Sequence, residues 1–227
     1  MNCDPLAVYR IQLNPEFGFK QAAEIADYLS ELGISHLYCS PVLQAAHGST
    51  HGYDVVDHSR LNRELGGAKS YQQLCNRLTE LGMSQLLDIV PNHMAITGPE
   101  NPWWWDVLEN GPSSRFASYF DVDWDPANAP YSNLMLLPVL GDHYGRALEN
   151  GEFELVHQQG RFIITYFDVE FPVSPRSLVS LLETVAHRSH SDQVLFIAGA
   201  LQNLPVATAT DRKSVQRRHR DKGVLGE

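Results

Sequence analysis

Three short segments bring together side chains whose chemistry suits a polyhydroxylated ligand. In GSTHGYDVVDHSRLN (48–62), His51, Tyr53, Asp54 and Asp57 crowd imidazole, phenol and carboxylate groups into one loop. The flat ring of Tyr53 can carry the C–H face of a pyranose. It can equally plug the loop onto its scaffold while Asp54 and Asp57 hold the turns. In LLDIVPNH (86–93), an apolar run ends with Asp88, Asn92 and His93 around the strand-stopping Pro91. A carboxylate inside an apolar strand must be met by hydrogen bonds or an opposite charge, so Asp88 is either structural glue or part of a site. His93, at the mouth, can donate to a sugar hydroxyl; a satisfied core histidine is the alternative. In NPWWWDVLENG (101–111), three successive tryptophans cannot all face one core on a helix or a strand. At least one is expected at a rim or junction, where an aromatic body with an N–H handle is useful.

The elements that must position these groups are signalled by a weak internal repeat. SELGISHLYCSPV (30–42) parallels TELGMSQLLDIVP (79–91): a polar residue, Glu-Leu-Gly, then an apolar strand ending in proline. A helical segment precedes each copy. Over 20–32 the apolar positions are Ala22, Ala23, Ile25, Ala26, Leu29 and Leu32, and over 70–81 they are Tyr71, Leu74, Cys75, Leu78 and Leu81, each set on one face of a 3.6-residue period. Ser70 and Gln73 suggest a capping box for the second helix. Gly33 and Gly82 suit the left-handed position just past each helix end. The order is strand (about 8–13), helix, strand (35–41), helix, strand (84–90), which predicts a parallel α/β sheet with function in the loops after the strand C-termini. A doubly wound sheet and a barrel both satisfy it.

After His93 the rhythm breaks. Residues 94–176 are rich in Pro, Gly, Asn and aromatics and contain a hairpin pattern, FELVH (153–157) and RFIITYF (161–167), joined by Gln158-Gln159-Gly160. This reads as an inserted, mostly β and irregular subdomain. Helical patterning returns at 177–187, with Leu178, Leu181, Leu182 and Val185 on one face. A second apolar stretch follows at 194–204. The tail DRKSVQRRHRDK (211–222) carries six basic residues against two acidic ones and reads as a solvated helix end, with a nucleic-acid arm as the alternative.

Of the 227 residues, 43% are hydrophobic and 19% charged, a globular composition. The net charge of -10 argues against nucleic acid as a partner, which requires clustered positive charge. No secretory signal and no apolar run of membrane-spanning length is visible. Cys3, Cys39 and Cys75 are odd in number and widely spaced, so neither a disulfide framework nor a zinc site is expected. A cytoplasmic protein with no cofactor and no membrane partner is the expectation.

Taken in order, YRIQL, STHGYDV, DIVPNH, NPWWWDVLENG, FDVDWD (120–125), LLPVLG (136–141) and FPVSPRS (171–177) resemble the maltooligosyltrehalose synthases, a branch of the α-amylase superfamily of retaining glucan enzymes. The resemblance runs from about residue 8 to 205. DIVPNH by itself marks only the superfamily; STHGYDV with NPWWWDVLENG favours the trehalose-forming branch. It implies an incomplete (β/α)8 TIM barrel made of the first three βα units (1–93), an inserted subdomain (94–176) and a helical segment with a charged tail (177–227). It implies a maltooligosaccharide substrate, with Tyr53 and His93 lining the subsite of the glucose whose linkage changes and with His51 and Asp54 as neighbours. Asn92 stands where many amylases bind calcium, but no metal is expected here.

In the family the nucleophilic Asp follows the fourth strand in an Arg-x-Asp setting and the acid Glu follows the fifth. No strand-flanked Arg-x-Asp occurs after the insert; Asp211 precedes Arg212 in the charged tail. A full barrel takes about 250 residues, so no catalytic pair is expected in this chain, and it should be inactive alone. The readings carried forward are the N-terminal part of a maltooligosyltrehalose synthase, a hydrolytic amylase fragment, and a non-catalytic module that pairs with a second chain carrying the remaining strands.

Overall fold

The structure is a computed structural model describing residues 4–96, 98–127, 132–158 and 160–225, so Cys3 and Gln159 lie outside the described residues. The chain forms two compact units, Met1–Ile96 and Thr97–Glu227.

The first unit follows the expected strand–helix alternation. Its elements are β1 (Val8–Ile11), α1 (Phe19–Glu24), α2 (Ala26–Glu31), β2 (His36–Cys39), β3 (Leu43–Ala45), β4 (Val55–Leu61), α3 (Gly67–Glu80) and β5 (Ser84–Leu87). Strands β1, β2 and β5 pair in parallel in that spatial order, with Ile11 opposite Cys39 and Cys39 opposite Leu87. One face of the sheet supplies Ile11, Leu37 and Cys39 to a core completed by Phe19, Ala22, Leu29, Leu74 and Leu78 from the helices. Both helix exits use the same device. Gly33 (φ 87°) and Gly82 (φ 67°) turn left-handed, and the next amide reaches back to the helix: Ile34 N–H donates to Leu29 O (3.0 Å) and Met83 N–H to Leu78 O (2.8 Å). The sequence repeat is this shared exit.

Four expectations change. The single helix over 20–32 is two, because Ile25 relaxes to ψ -3° while Ala22, Ala26 and Leu29 stay buried. The second helix starts at Gly67 with Gly66 as its N-cap, so Ser70 is not the cap; its side chain packs in the first turn, beneath Gly66. The segment 48–62 is not all loop: Val55–Leu61 pairs antiparallel with Leu43–Ala45 through a bulged register, and residues 46–54 form the tip of that hairpin. The third parallel strand ends at Leu87 and is not buried. Leu86, Leu87 and Ile89 are exposed.

The second unit contains α4 (Pro102–Asn110), α5 (Tyr144–Glu149), an antiparallel sheet of β6 (Phe153–Gln158), β7 (Arg161–Tyr166) and β8 (Val169–Pro172), then α6 (Val179–Ser189), α7 (Asp192–Gln202) and α8 (Arg212–Leu225). The hairpin gains a third strand in β8. Helix α4 starts cleanly, with Asn101 Oδ1 accepting from the amides of Trp103 and Trp104 (3.1 Å each) and Pro102 in the first turn. Trp104 and Trp105 are buried, whereas Trp103 stacks on Phe116 (5.5 Å) and meets Tyr119 edge-on. Of the four leucines and valines expected on one face at 178–185, Leu178 is buried but Leu181 and Val185 are exposed. The charged tail is not simply solvated. Arg218 is fully buried, donating from Nε to Asn110 Oδ1 (2.9 Å) and from Nη1 to Pro205 O (2.6 Å). Lys222 pairs with Glu109.

Candidate functional site

The carboxyl ends of β1, β2 and β5 carry a polar cluster. Alternation along a strand sends side chains at i and i+2 to one face. Arg10 and Gln12 therefore share the face opposite the helix-packed core, as do Leu86 and Asp88. Arg10 sits in register with Tyr38, its guanidinium 5.5 Å from that ring's centroid.

Tyr53 descends onto this face from the hairpin tip. Its hydroxyl donates to Asp88 Oδ2 (2.6 Å) and accepts from Arg10 Nη2 (3.1 Å). Tyr38 donates to the same carboxylate oxygen (3.2 Å). The half-buried Asp88 is thus met by two phenols on Oδ2, and among the described residues Oδ1 accepts no hydrogen bond. The bond to Asp88 is the first cause holding the Tyr53 phenol pKa above its ordinary value. Burial adds to it and Arg10 opposes it.

His93 stands beside Tyr53, with Nε2 3.1 Å from the Tyr53 carbonyl oxygen. A carbonyl only accepts, so Nε2 carries the proton, and in the neutral ring Nδ1 is left as an acceptor. With Nε2 engaged as a donor, Nδ1 is the ring nitrogen that remains to face a ligand. His51 stacks loosely on Tyr53 (centroids 6.1 Å apart), and its Nδ1 accepts from the Tyr53 amide (3.1 Å). That bond leaves Nδ1 unprotonated, so the 3.7 Å approach to Asp54 Oδ1 is not an ion pair. Asp54 instead accepts from the Ser49 hydroxyl, which itself accepts from the Gly52 amide (3.0 Å). Its observed bonds hold the loop.

Of the residues singled out from the sequence, Tyr53, His93 and Asp88 converge, His51 borders them, and Asp54 serves the turn. Arg10, Gln12 and Tyr38 were missed. Their signal was polar and aromatic groups at the carboxyl ends of the first two parallel strands. Asn92 is exposed, and among the described residues no group of three His, Cys, Asp or Glu side chains is arranged to hold a metal. Cys39 and Cys75 are free thiols, and burial pushes Cys39 up to about 11, which disfavours a thiolate.

A cavity of ≈ 580 Å³ lies in the second unit. Its walls are mostly apolar, including Phe162, Leu178, Leu182 and Leu201, and its carboxylate, Glu109, is already paired with Lys222. The strand-end cluster is the better candidate, because exposed His93 and Arg10 there surround an aromatic ring and an acceptor carboxylate.

Comparisons with known proteins find relatives by sequence and by fold. A putative maltooligosyl trehalose synthase of Mycobacterium tuberculosis is 43% identical over 142 residues, which is 60% of this chain and 18% of that protein. The structure of maltooligosyltrehalose synthase from Arthrobacter ramosus matches with a TM-score of 0.66 at 40% identity, covering 75% of this chain and 21% of that one. A hypothetical maltooligosyl trehalose synthase from Sulfolobus tokodaii matches with a TM-score of 0.64 at 34% identity, covering 81% and 24%. The chain thus spans about a fifth of the length of these relatives. The model of the alpha-amylase catalytic domain matches residues 22–139, just over half of the sequence, and the chain belongs to that family.

Proposed function

We propose that this chain is the N-terminal part of a maltooligosyltrehalose synthase. In this reading the first unit supplies the first three βα units of a (β/α)8 barrel, and residues 94–176 form a subdomain inserted after the third strand. The observation that carries the reading is the meeting of Tyr53, Asp88 and His93 at the carboxyl ends of adjacent parallel strands. That is the end where barrel enzymes place their chemistry. The sheet face bearing Arg10, Tyr38 and Leu86 is the one a closing barrel turns inward, in keeping with the exposure of Leu86 here.

The reaction is the intramolecular rearrangement of the reducing-end α-1,4 bond of a maltooligosaccharide to an α,α-1,1 bond. The Tyr53 ring supports one glucose, while His93 Nδ1 and Asp88 Oδ1 accept hydrogen bonds from its hydroxyls. Retaining transfer also needs two carboxyl groups about 5–5.5 Å apart. Asp88 is held by two phenols, which suits a binding acceptor more than an attacking group. The bond-breaking pair then comes from residues other than these 227, so the chain alone binds without converting.

Titrating the chain with maltopentaose by NMR, followed by product analysis, tests this. Saturable shifts at Tyr53 and His93 with unchanged sugar are expected. Absence of binding removes the glucose pocket. A trehalose-ended product from the chain alone overturns the assignment of the chemistry elsewhere, and new reducing ends establish a hydrolase instead.

A further inference from the structure

Strand β1 carries a feature that the glucose-pocket reading does not use. Arg10 and Gln12 lie on one face of the strand end and are bonded to each other, with both Arg10 terminal nitrogens donating to Gln12 Oε1 (3.3 and 3.2 Å). From this joined pair two arms reach the hairpin tip. Arg10 Nη2 donates to the Tyr53 hydroxyl (3.1 Å), 43 positions away. Gln12 Nε2 donates to the His51 carbonyl (3.1 Å) and lies 3.5 Å from the Thr50 carbonyl. The loop is thus held at its backbone by Gln12, just past the end of β1, and at the far end of its aromatic side chain by Arg10 within it.

The consequence for Tyr53 follows from hydrogen-bond inventory. A phenol has one proton and accepts through its oxygen lone pairs. The proton goes to Asp88 and Arg10 occupies the acceptor side, so the ring face is what remains for a ligand. We propose that Arg10 and Gln12 are positioning residues that clamp the Tyr53 loop, so that the ring, and not its hydroxyl, is presented to a glucose. The proposal rests on the glucose-pocket reading for its ligand, but the clamp itself is testable without it. A planar guanidinium serves Gln12 and Tyr53 at once while lying over the Tyr38 ring; an ammonium is a point charge and does not reproduce the fork.

The experiment uses the full 227-residue chain with ¹³C-labelled tyrosine, the Tyr53 resonance being assigned with Y53F. Arg10→Met, Arg10→Lys and Gln12→Leu are compared with the parent. Arg10 opposes the upward shift of the Tyr53 phenol. Arg10→Met is therefore expected to move its titration further up, whereas a variant that had merely unfolded would bring it down to the ordinary phenol range. Arg10→Lys should not restore the parent spectrum. Gln12→Leu should shift His51 and Tyr53 together. Maltopentaose binding should weaken about threefold in Arg10→Met, as for loss of one positioning hydrogen bond with the ring itself retained. Unmoved Tyr53 signals in both Arg10→Met and Gln12→Leu would overturn the clamp. Weakened binding with an unmoved Tyr53 would also overturn it, because Arg10 would then touch the sugar directly. If the parent chain does not bind maltopentaose, the glucose reading fails, while the titration and shift measurements still decide the clamp.

Discussion

The ring nitrogen Nε2 of His93 lies 3.1 Å from the backbone carbonyl of Tyr53, 40 positions earlier. This contact ties the end of the third parallel strand to the tip of the hairpin that follows the second. With the phenol of Tyr53 on Asp88, the two motifs are joined twice, by backbone and by side chain. Each contact fixes which atoms are left for a ligand: the Tyr53 ring face, His93 Nδ1 and Asp88 Oδ1.

The ring and the hydroxyl of Tyr53 can be separated by substitution. Tyr53→Phe keeps the platform and loses only the bonds to Asp88 and Arg10, so maltopentaose affinity should fall by no more than about threefold. Tyr53→Ala removes the platform and should weaken binding at least about tenfold, in line with the contribution of an aromatic contact plus its buried area. Calorimetry on the two variants checks this. Equal losses in both would place the recognition on the hydroxyl.

The paired helix exits make a second prediction. At Gly33 and Gly82 no atom lies within 4 Å of where a Cβ would stand, so substitution costs only the left-handed backbone. Gly33→Ala and Gly82→Ala should each destabilise the first unit by about 1 kcal/mol, measured as a drop in urea midpoint. Asparagine at either site should recover part of the loss, because its short polar side chain tolerates that conformation.

The βαβαβ framework was legible because several levels agreed on it: the helical faces through Leu29 and Leu78, the two glycine exits and the apolar strands between turn signals. The β3–β4 hairpin was hidden by its bulges and by the mixed polarity of Asp57, His58 and Ser59, which blur strand alternation. Tyr53 and His93 could be read as candidate site residues because their motifs follow the second and third parallel strands. Arg10 and Gln12 also stand at a strand end, but their contacts could not be read, because their partners lie about 40 positions away and only folding brings them near. Arg218 was misread for the same reason: a run of charges says nothing about which member meets Asn110, 108 positions earlier.

Arg218 carries the third prediction. Its guanidinium donates to Asn110 Oδ1, Pro205 O and Ser174 Oγ, bridging three segments of the second unit. Burial pushes its pKa down, and the Glu109 carboxylate opposes that. Arg218→Met keeps much of the volume but leaves a buried amide oxygen and a carbonyl without a donor. The expected cost is about 3 kcal/mol. Urea unfolding followed by tryptophan fluorescence reads it, since all four tryptophans lie in this unit. Arg218→Lys should recover less than half, because one ammonium cannot span the same acceptors.

One residue later on α8, His219 should make the second unit sensitive to acid. Its Nε2 lies 3.1 Å from the Ser113 carbonyl, so it donates there, and burial holds its pKa below the ordinary 6.5. Asp106, 3.7 Å from Nδ1, pulls the pKa the other way but does not win. The unfolded chain therefore binds a proton at a higher pH than the folded one. Stability from the neutral ring is fully present above the unfolded value and is lost as pH falls through 6.5 toward the depressed folded value. His219→Gln can retain a donor toward Ser113 without titrating. It should flatten the fall in unfolding free energy between pH 7 and 5 while changing stability at pH 8 by less than about 1 kcal/mol. Urea unfolding of both proteins across that range decides the matter. An unchanged pH slope in His219→Gln would show that acid acts on this unit through other groups.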